Sequence, residues 1–229
     1  MLIMLLVMSY NKIFNKSEAL DLKRVIKSMV FKLKYTLPFL LLSMIPLESN
    51  VPVVENISFS VVKKNTSIGF INIEKRTINN ITTFTVNSEV NANIIFTFTA
   101  VGKEKSVFKE DTLVYSSVYR MLNNKVKLNQ ALLFEKGKYV LKNNGKSEDV
   151  SLNVIHRNLV TLFFQEPIGI DKIYADKYKI MLKIIPLGNR KYKVVFPNKS
   201  ISIYHYQNGK CTSIDAEGSF YKVQIIPNV

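Results

Sequence analysis

The chain has 229 residues, 47% of them hydrophobic, with 32 Lys+Arg against 17 Asp+Glu, a net charge of +15, one cysteine and no tryptophan. That length buries one sizeable core, and no shift in composition marks a second globular domain. The single cysteine, Cys211, excludes an internal disulfide framework and any cysteine-based zinc site.

The basic balance belongs to the globular part, since 25 Lys+Arg stand against 14 Asp+Glu from residue 50 onward. Its lysines alternate along apolar stretches, as at Lys179 and Lys183 or Lys191 and Lys193, instead of clustering with exposed aromatics. No helix-turn-helix, RNA-recognition or oligonucleotide-barrel signature accompanies them, so nucleic acid is not an expected partner. A solvated sheet face is the first reading, and contact with an anionic envelope surface is the second.

Residues 1–28 read as an extension upstream of the true start, Met29, with an amphipathic lead from Ser17 to Lys27 as the alternative. Residues 29–49 have the layout of a signal peptide: Lys32 and Lys34, then an apolar run from Thr36 to Leu47, then small or polar residues to Ser49. The run is shorter than the ~20 residues of a membrane span. The expectation is therefore an N-terminal helical signal segment, export to the periplasm or cell envelope without a permanent span, and a single β-barrel-like domain over 50–229.

From Ile57 the apolar period is two, the signature of strands with one wet face. ISFSVVK and SIGFINIEK are joined at Lys64-Asn65, and Gly69 inside the second strand marks a bulge or a close backbone approach. Asn79-Asn80 turns into ITTFTVNSEV, and the stretch after it is long enough for two strands or for one bent at Gly102. Turns at Asn123-Asn124, Gly137 and Asn144-Gly145 continue the meander.

One stretch departs from this period. Leu152, Ile155, Leu159, Leu162 and Phe163 fall at helical spacing and Pro167 follows, which predicts an α-helix over Ser151–Phe164 anchored by Phe163 and Phe164. After a link, IGIDKIYAD, hairpin-joined strands run from Tyr178 to Ile226. A three-residue loop at Gly188–Arg190 opposes Ile184 to Val194 and Leu182 to Phe196. A type I′ turn at Asn208-Gly209 sets Tyr206 against Cys211, Tyr204 against Ser213 and His205 against Thr212. In that hairpin the face carrying Ile201, Ile203, His205 and Ile214 is expected to be the core.

The order of residues from Ile57 to Ile225 resembles a family of exported β-rich proteins of Gram-negative bacteria, a domain of unknown function. The likeness rests on the strand carrying Ile68-Gly69, the Phe-Gln-Glu-Pro of Phe164 to Pro167, the Tyr-x-Val-x-Phe-Pro-Asn of Tyr192 to Asn198, and the Tyr-x-Tyr-x-Asn-Gly-x-Cys of Tyr204 to Cys211. It implies no activity. Similar folds, a curved sheet around a helix, serve periplasmic lipid and lipoprotein carriers, an analogy of fold only.

The expected architecture is mainly β: a strongly curved antiparallel sheet or partly open β-barrel, built as a meander, with one α-helix packed on the concave side. Chemistry is sparse. His205 and Cys211 fall on opposite faces of their hairpin, His156 sits beside Arg157 on the predicted helix, and no metal-ligand spacing occurs. No catalytic residue, cofactor or metal is expected. Phe70, Phe84, Phe96, Phe98, Tyr139, Phe163 and Tyr204 are expected to fill or line the interior, and in an open interior to hold a lipid or other apolar small molecule. The rival readings are an envelope interaction module with a packed core and a hydrolase in which Glu166 and Asp176 converge in one cleft.

Overall fold

Tight turns set the architecture. The computed structural model describes Lys27 and residues 51–93, 97–143, 145–219 and 221–228. The segments expected to be a signal peptide and an upstream extension, Lys27 apart, lie outside the described residues. Both residues of the turns at Lys64-Asn65, Glu110-Asp111, Asn123-Asn124, Lys136-Gly137, Asn189-Arg190 and Asn208-Gly209 have positive φ. That is type I′ geometry, whose twist matches the twist of paired strands, and Asn, Asp and Gly enter it at least cost.

The strands so joined are Val53–Lys63 (β1), Thr66–Ile78 (β2), Ile81–Asn93 (β3), Thr97–Lys109 (β4), Thr112–Leu122 (β5), Lys125–Glu135 (β6), Lys138–Asn143 (β7) and Lys146–Val150 (β8). A crossing segment then carries a 3-10 helix at Leu159–Phe163. The second run is Lys172–Ala175 (β9), Ile180–Gly188 (β10), Lys191–Val195 (β11), Ile201–Gln207 (β12), Lys210–Gly218 (β13) and Tyr221–Pro227 (β14). All fourteen form one antiparallel sheet in the order β8-β7-β6-β5-β4-β3-β2-β1-β14-β13-β12-β11-β10-β9. It is two meanders, welded where β1 pairs with β14 through Phe59↔Pro227, Ser60↔Ile226, Val61↔Ile225 and Val62↔Gln224.

The sheet is open in its pairing but curled in space. Glu104 on β4 and Ser202 on β12 line one cavity, although six strand steps separate them in the sheet. At about 4.8 Å per step, a flat sheet would hold them close to 30 Å apart. The concave side carries two apolar clusters. One gathers Ile73, Phe84, Phe108, Leu113, Leu132, Tyr139 and Leu141; the other gathers Ile173, Leu182, Ile184, Val194, Tyr204, Tyr206 and Ile214.

Bulges beside the turns correct the facing. Cys211 and Ile214 are three residues apart and both buried, which strict alternation forbids. The register slips between His205 and Tyr206, so Tyr206 opposes Cys211 while Tyr204 opposes Ile214 and His205 opposes Ser213. This overturns the expected core face: Tyr204, Tyr206 and Cys211 point inward with Ile214, and Ile201, Ile203 and His205 are only half-buried. At the other predicted hairpin Ile184 does oppose Val194. The odd count comes from a bulge at Leu187 followed by a two-residue turn, not from a three-residue loop.

The predicted α-helix over Ser151–Phe164 does not form. Residues 151–157 are extended, and the helical turns of this segment are the 3-10 turns from Leu159. The reason lies in where the backbone finds its partners. Leu113 N donates to Ile155 O at 2.8 Å, Ile155 N donates to the Tyr139 hydroxyl at 3.0 Å, and Tyr174 N donates to Arg157 O at 3.2 Å. Strands thus replace the i to i−4 bonds that Asn and β-branched residues support poorly. An extended strap is also narrower than a helix of about 10 Å diameter, and it fits inside the curl. Its anchors are Ile155, Val160, Leu162, Phe163 and Phe164. The link after it holds a strand, β9, that the sequence reading leaves as a loop.

Gly69 meets both expectations for an interior glycine. Val61 opposes Gly69 while Val62 opposes Ser67, leaving Ile68 as the extra residue of a bulge. A Cβ on Gly69 would stand 2.2 Å from Glu89 O. Because the obstacle is backbone, Gly69→Ala is expected to lower stability by roughly 1–3 kcal/mol, read as a fall in the urea midpoint at unchanged slope.

Candidate functional site

Cross-strand pairing builds a polar patch on the otherwise apolar concave face. Ser106 pairs with Ser116, Glu104 pairs with Val118, and Val118 in turn pairs with Gln130, so hydroxyl, carboxylate and amide groups sit in adjacent rows of β4, β5 and β6. The strap and the β9–β10 turn lie over this patch. Asn158, placed by its parallel bridge to Tyr174, donates from Nδ2 to Ser106 Oγ at 2.7 Å and to Asp176 Oδ2 at 2.9 Å. Gln130 Nε2 donates to the Asp176 carbonyl at 2.8 Å and to that of Lys177 at 3.4 Å.

The patch is unusual in what it leaves unpaired. Among the described residues, Gln130 Oε1, Asn158 Oδ1, Tyr174 OH and Asp176 Oδ1 are buried without a hydrogen-bond partner. All four belong to this one network. Buried polar groups are otherwise paired almost without exception, because a missing bond costs the full desolvation of the group. Asp176 is 6% exposed, and burial pushes its carboxyl up from 3.8 to about 7. The Glu104 carboxylate adds to that rise, while the Ser116 and Asn158 side chains oppose it. Burial also pushes the Tyr174 phenol above its ordinary value, with the charge of Asp176 contributing.

Beside the patch is an open-mouthed cavity of about 340 Å³ lined by residues of both meanders. Ile71, Val86, Phe163, Phe196 and Tyr204 give it an apolar wall, and Glu104, Arg120, Asp176, Asn198 and Ser200 give it a polar one. Glu104 is held by an ion pair with Arg120. Asn198 Oδ1 accepts from Ser200 Oγ at 2.7 Å, which fixes the β11–β12 loop at the rim.

The residues expected to hold an apolar ligand separate. Phe163 and Tyr204 line this cavity, their rings 6.4 Å apart, and Phe163 also packs on Phe59 at 5.2 Å. Phe84 is buried against Phe108 and Phe164. Tyr139 is buried and ties the strap down, donating to Leu113 O at 3.0 Å as well as accepting from Ile155 N. Phe98 is half-buried, Phe70 is 40% exposed, and Phe96 lies outside the described residues.

Glu166 and Asp176 do not share a cleft. Glu166 is buried and accepts from Arg190 Nη1 at 3.1 Å and from the Tyr192 hydroxyl at 3.0 Å, while its N–H donates to Gly209 O. The cavity that Asp176 lines does not include it. Glu166 is thus a satisfied structural pair that pins the end of the strap to two turns, the place the sequence reading gives to a helix end. Cys211 and His205 lie apart as expected. The Cys211 Sγ donates to Ser213 O and burial pushes the thiol up to about 12, while His205 Nε2 pairs with Asp215 Oδ2 at 2.7 Å on the other face. His156 is on the extended strap, its Nδ1 3.1 Å from Asp111 O.

Residues 59–228 match the family model described as a domain of unknown function (DUF6134). No curated protein matches. Among solved structures, the crystal structure of a beta-barrel-like protein of domain of unknown function DUF1849 from Brucella abortus is 10% identical, with 78% of this chain and 96% of that chain covered and a TM-score of 0.47.

Asp176 yields a pH test. With its pKa raised, the folded protein binds this proton more tightly than the unfolded chain, so ionisation penalises the fold as pH rises from about 4 to about 7. Asp176→Asn is expected to be more stable than the parent at pH 8. The difference should shrink toward zero at pH 4, at up to about 1.4 kcal/mol per unit, in urea denaturation across that range.

Proposed function

Because the chain belongs to the DUF6134 family, whose description carries no activity, we propose a function from the geometry: a binding domain that takes a small molecule with an apolar body and a polar head. The observation that carries this reading is the cavity between the two meanders, apolar along Ile71, Val86, Phe163 and Phe196 and polar at Asp176, Glu104 and Arg120. Binding pockets combine an apolar lining with a few converging polar groups, and about 340 Å³ lies within their usual range. Aromatic rings pack in pairs elsewhere, at Phe84 with Phe108 and Phe134 with Tyr139, and the volume of about 340 Å³ suits a guest with one short apolar chain or ring system. A lipidic guest of that size fits the reading.

The location proposed for this activity is the cell envelope, reached through the signal segment at residues 29–49, with the lysine-rich outer face toward anionic surfaces. A hydrolase fits less well. Its pair of carboxylates would have to recruit Glu104 in place of Glu166, and Glu104 is held by Arg120.

Ser202 lines the cavity, and the chain has no tryptophan, so Ser202→Trp both fills the space and reports on it. Native mass spectrometry of the purified protein is expected to show a bound small molecule, and a fluorescent probe with an uncharged alkyl chain is expected to bind. Ser202→Trp is expected to lose both at an unchanged melting temperature. An empty parent protein that ignores the probe would defeat the reading.

A further inference from the structure

Among the described residues two carboxylates are buried, Glu166 and Asp176, and they are treated differently. Glu166 has Arg190 at 3.1 Å and the Tyr192 hydroxyl at 3.0 Å. Asp176, equally hidden, has no cationic partner among the described residues. Its Oδ2 takes one bond from Asn158, the nearby Ser116 hydroxyl favours its ionised form, and Oδ1 has no partner at hydrogen-bond distance although the residue lines the cavity. The two side chains bonded to it each keep a further acceptor without a donor, Asn158 Oδ1 and Gln130 Oε1. Among the described residues one hydrogen-bonded cluster therefore holds three orphan acceptors, of which only the Asp176 carboxylate belongs to a residue lining the cavity, and the fourth orphan is a phenol. What such a set lacks is donors and positive charge. A carboxylic acid or phosphate head would bring more acceptors, and a hydroxyl brings one donor. A primary ammonium brings three donors, no acceptor and the missing charge.

We infer that the cavity selects a cationic guest, a small amphipathic primary amine whose ammonium group pairs with Asp176 and whose apolar body lies along Ile71, Val86, Phe163 and Phe196. This rests on the binding reading above and names the class of ligand for the same site. The neighbouring charges leave room for it. Glu104 and Arg120, across the cavity, satisfy each other. Lys177, on the same turn as Asp176, is exposed and lies over the Tyr178 ring at 5.0 Å. Tyr174 beneath Asp176 and Tyr204 on the far wall are pushed above their ordinary phenol values by burial and stay neutral near pH 7, and Tyr221 completes the rim.

Proton linkage then has a definite sign. An ammonium guest favours the ionised carboxylate, so binding expels the proton that Asp176 holds below about pH 7. An anionic guest would favour the protonated form and bind better as pH falls.

The experiment is calorimetric titration of the full chain with octylamine, octanol and octanoate, which share a chain and differ in the head. Octylamine is expected to bind at least about tenfold tighter than the other two at pH 8, the effect of pairing a buried charge. Its affinity should fall roughly 30-fold from pH 8 to pH 5.5, the ratio of ionised carboxylate for a pKa near 7. At pH 6, buffers of different ionisation enthalpy should report about one proton released per amine bound. Asp176→Asn should abolish the preference for the amine and the pH dependence together. If none of the three octyl compounds binds, the cavity reading itself fails. If octanol or octanoate binds as tightly as octylamine, or octanoate tightens as pH falls, the cation inference is overturned while the cavity reading stands. The pH titration of the parent protein decides the matter even if the variant does not fold.

Discussion

The architecture depends on the weld between the first strand and the last. Four residue pairs join β1 to β14, and side chains reinforce them: Ser60 Oγ donates to Asn228 Oδ1 at 2.6 Å, Asn228 Nδ2 donates to Ser58 Oγ at 2.8 Å, and Asn228 N donates to Ser58 O. Without it the chain would be two separate meanders, each with another exposed edge. With it, a fourteen-stranded sheet twists and curls until β4 and β12 face each other across one interior. Loop-closure entropy makes such a contact between chain ends costly, so nearly every other pairing is local, through turns of two residues.

The strap between β8 and β9 turns a curl into a container. It runs through the concave side and is held by strand backbone at Leu113, by the Tyr139 hydroxyl and by Tyr174. Its aromatic end reaches both apolar clusters through Phe163. A segment anchored this way cannot fill the interior evenly. Aromatic rings pack one end, while toward the rim the strap leaves Asn158 and Asp176 facing the polar rows of β4, β5 and β6. The cavity and the orphan acceptors thus have one origin, the meeting of an irregular strap with inward-facing polar residues.

That polar interior costs stability. A buried carboxylate with one oxygen unpaired and no cation beside it, and three further buried polar atoms without partners, work against folding, where apolar residues of similar size would not. Such groups persist where a site needs them. The contrast with Glu166, buried and fully paired, shows that this fold can satisfy a buried acid where the role is structural.

Period-two alternation and Asn- and Gly-rich turns were enough to read the antiparallel meander, most hairpins and the two-sided role of Gly69, because these are local properties of a pleated strand. Three features were not readable. The strap scans as a helix because five apolar residues fall at helical spacing, yet its hydrogen bonds go to strands far away in sequence. The core face of the β12–β13 hairpin depends on a single bulge, which alternation cannot see. Ser106, Ser116, Gln130 and Glu104 break no pattern, since a polar residue on a strand reads as outward until the curl decides which side is inside.

The amino-acid order by itself therefore determined where the chain is extended, where it turns and that its strands run antiparallel, because these follow from each residue's φ preferences and its neighbours' polarity. Only the tertiary structure decided which face is concave, that the strap is extended, and that Asp176 sits without a cationic partner beside a cavity. Those outcomes depend on contacts between residues tens of positions apart, which local periodicity does not encode.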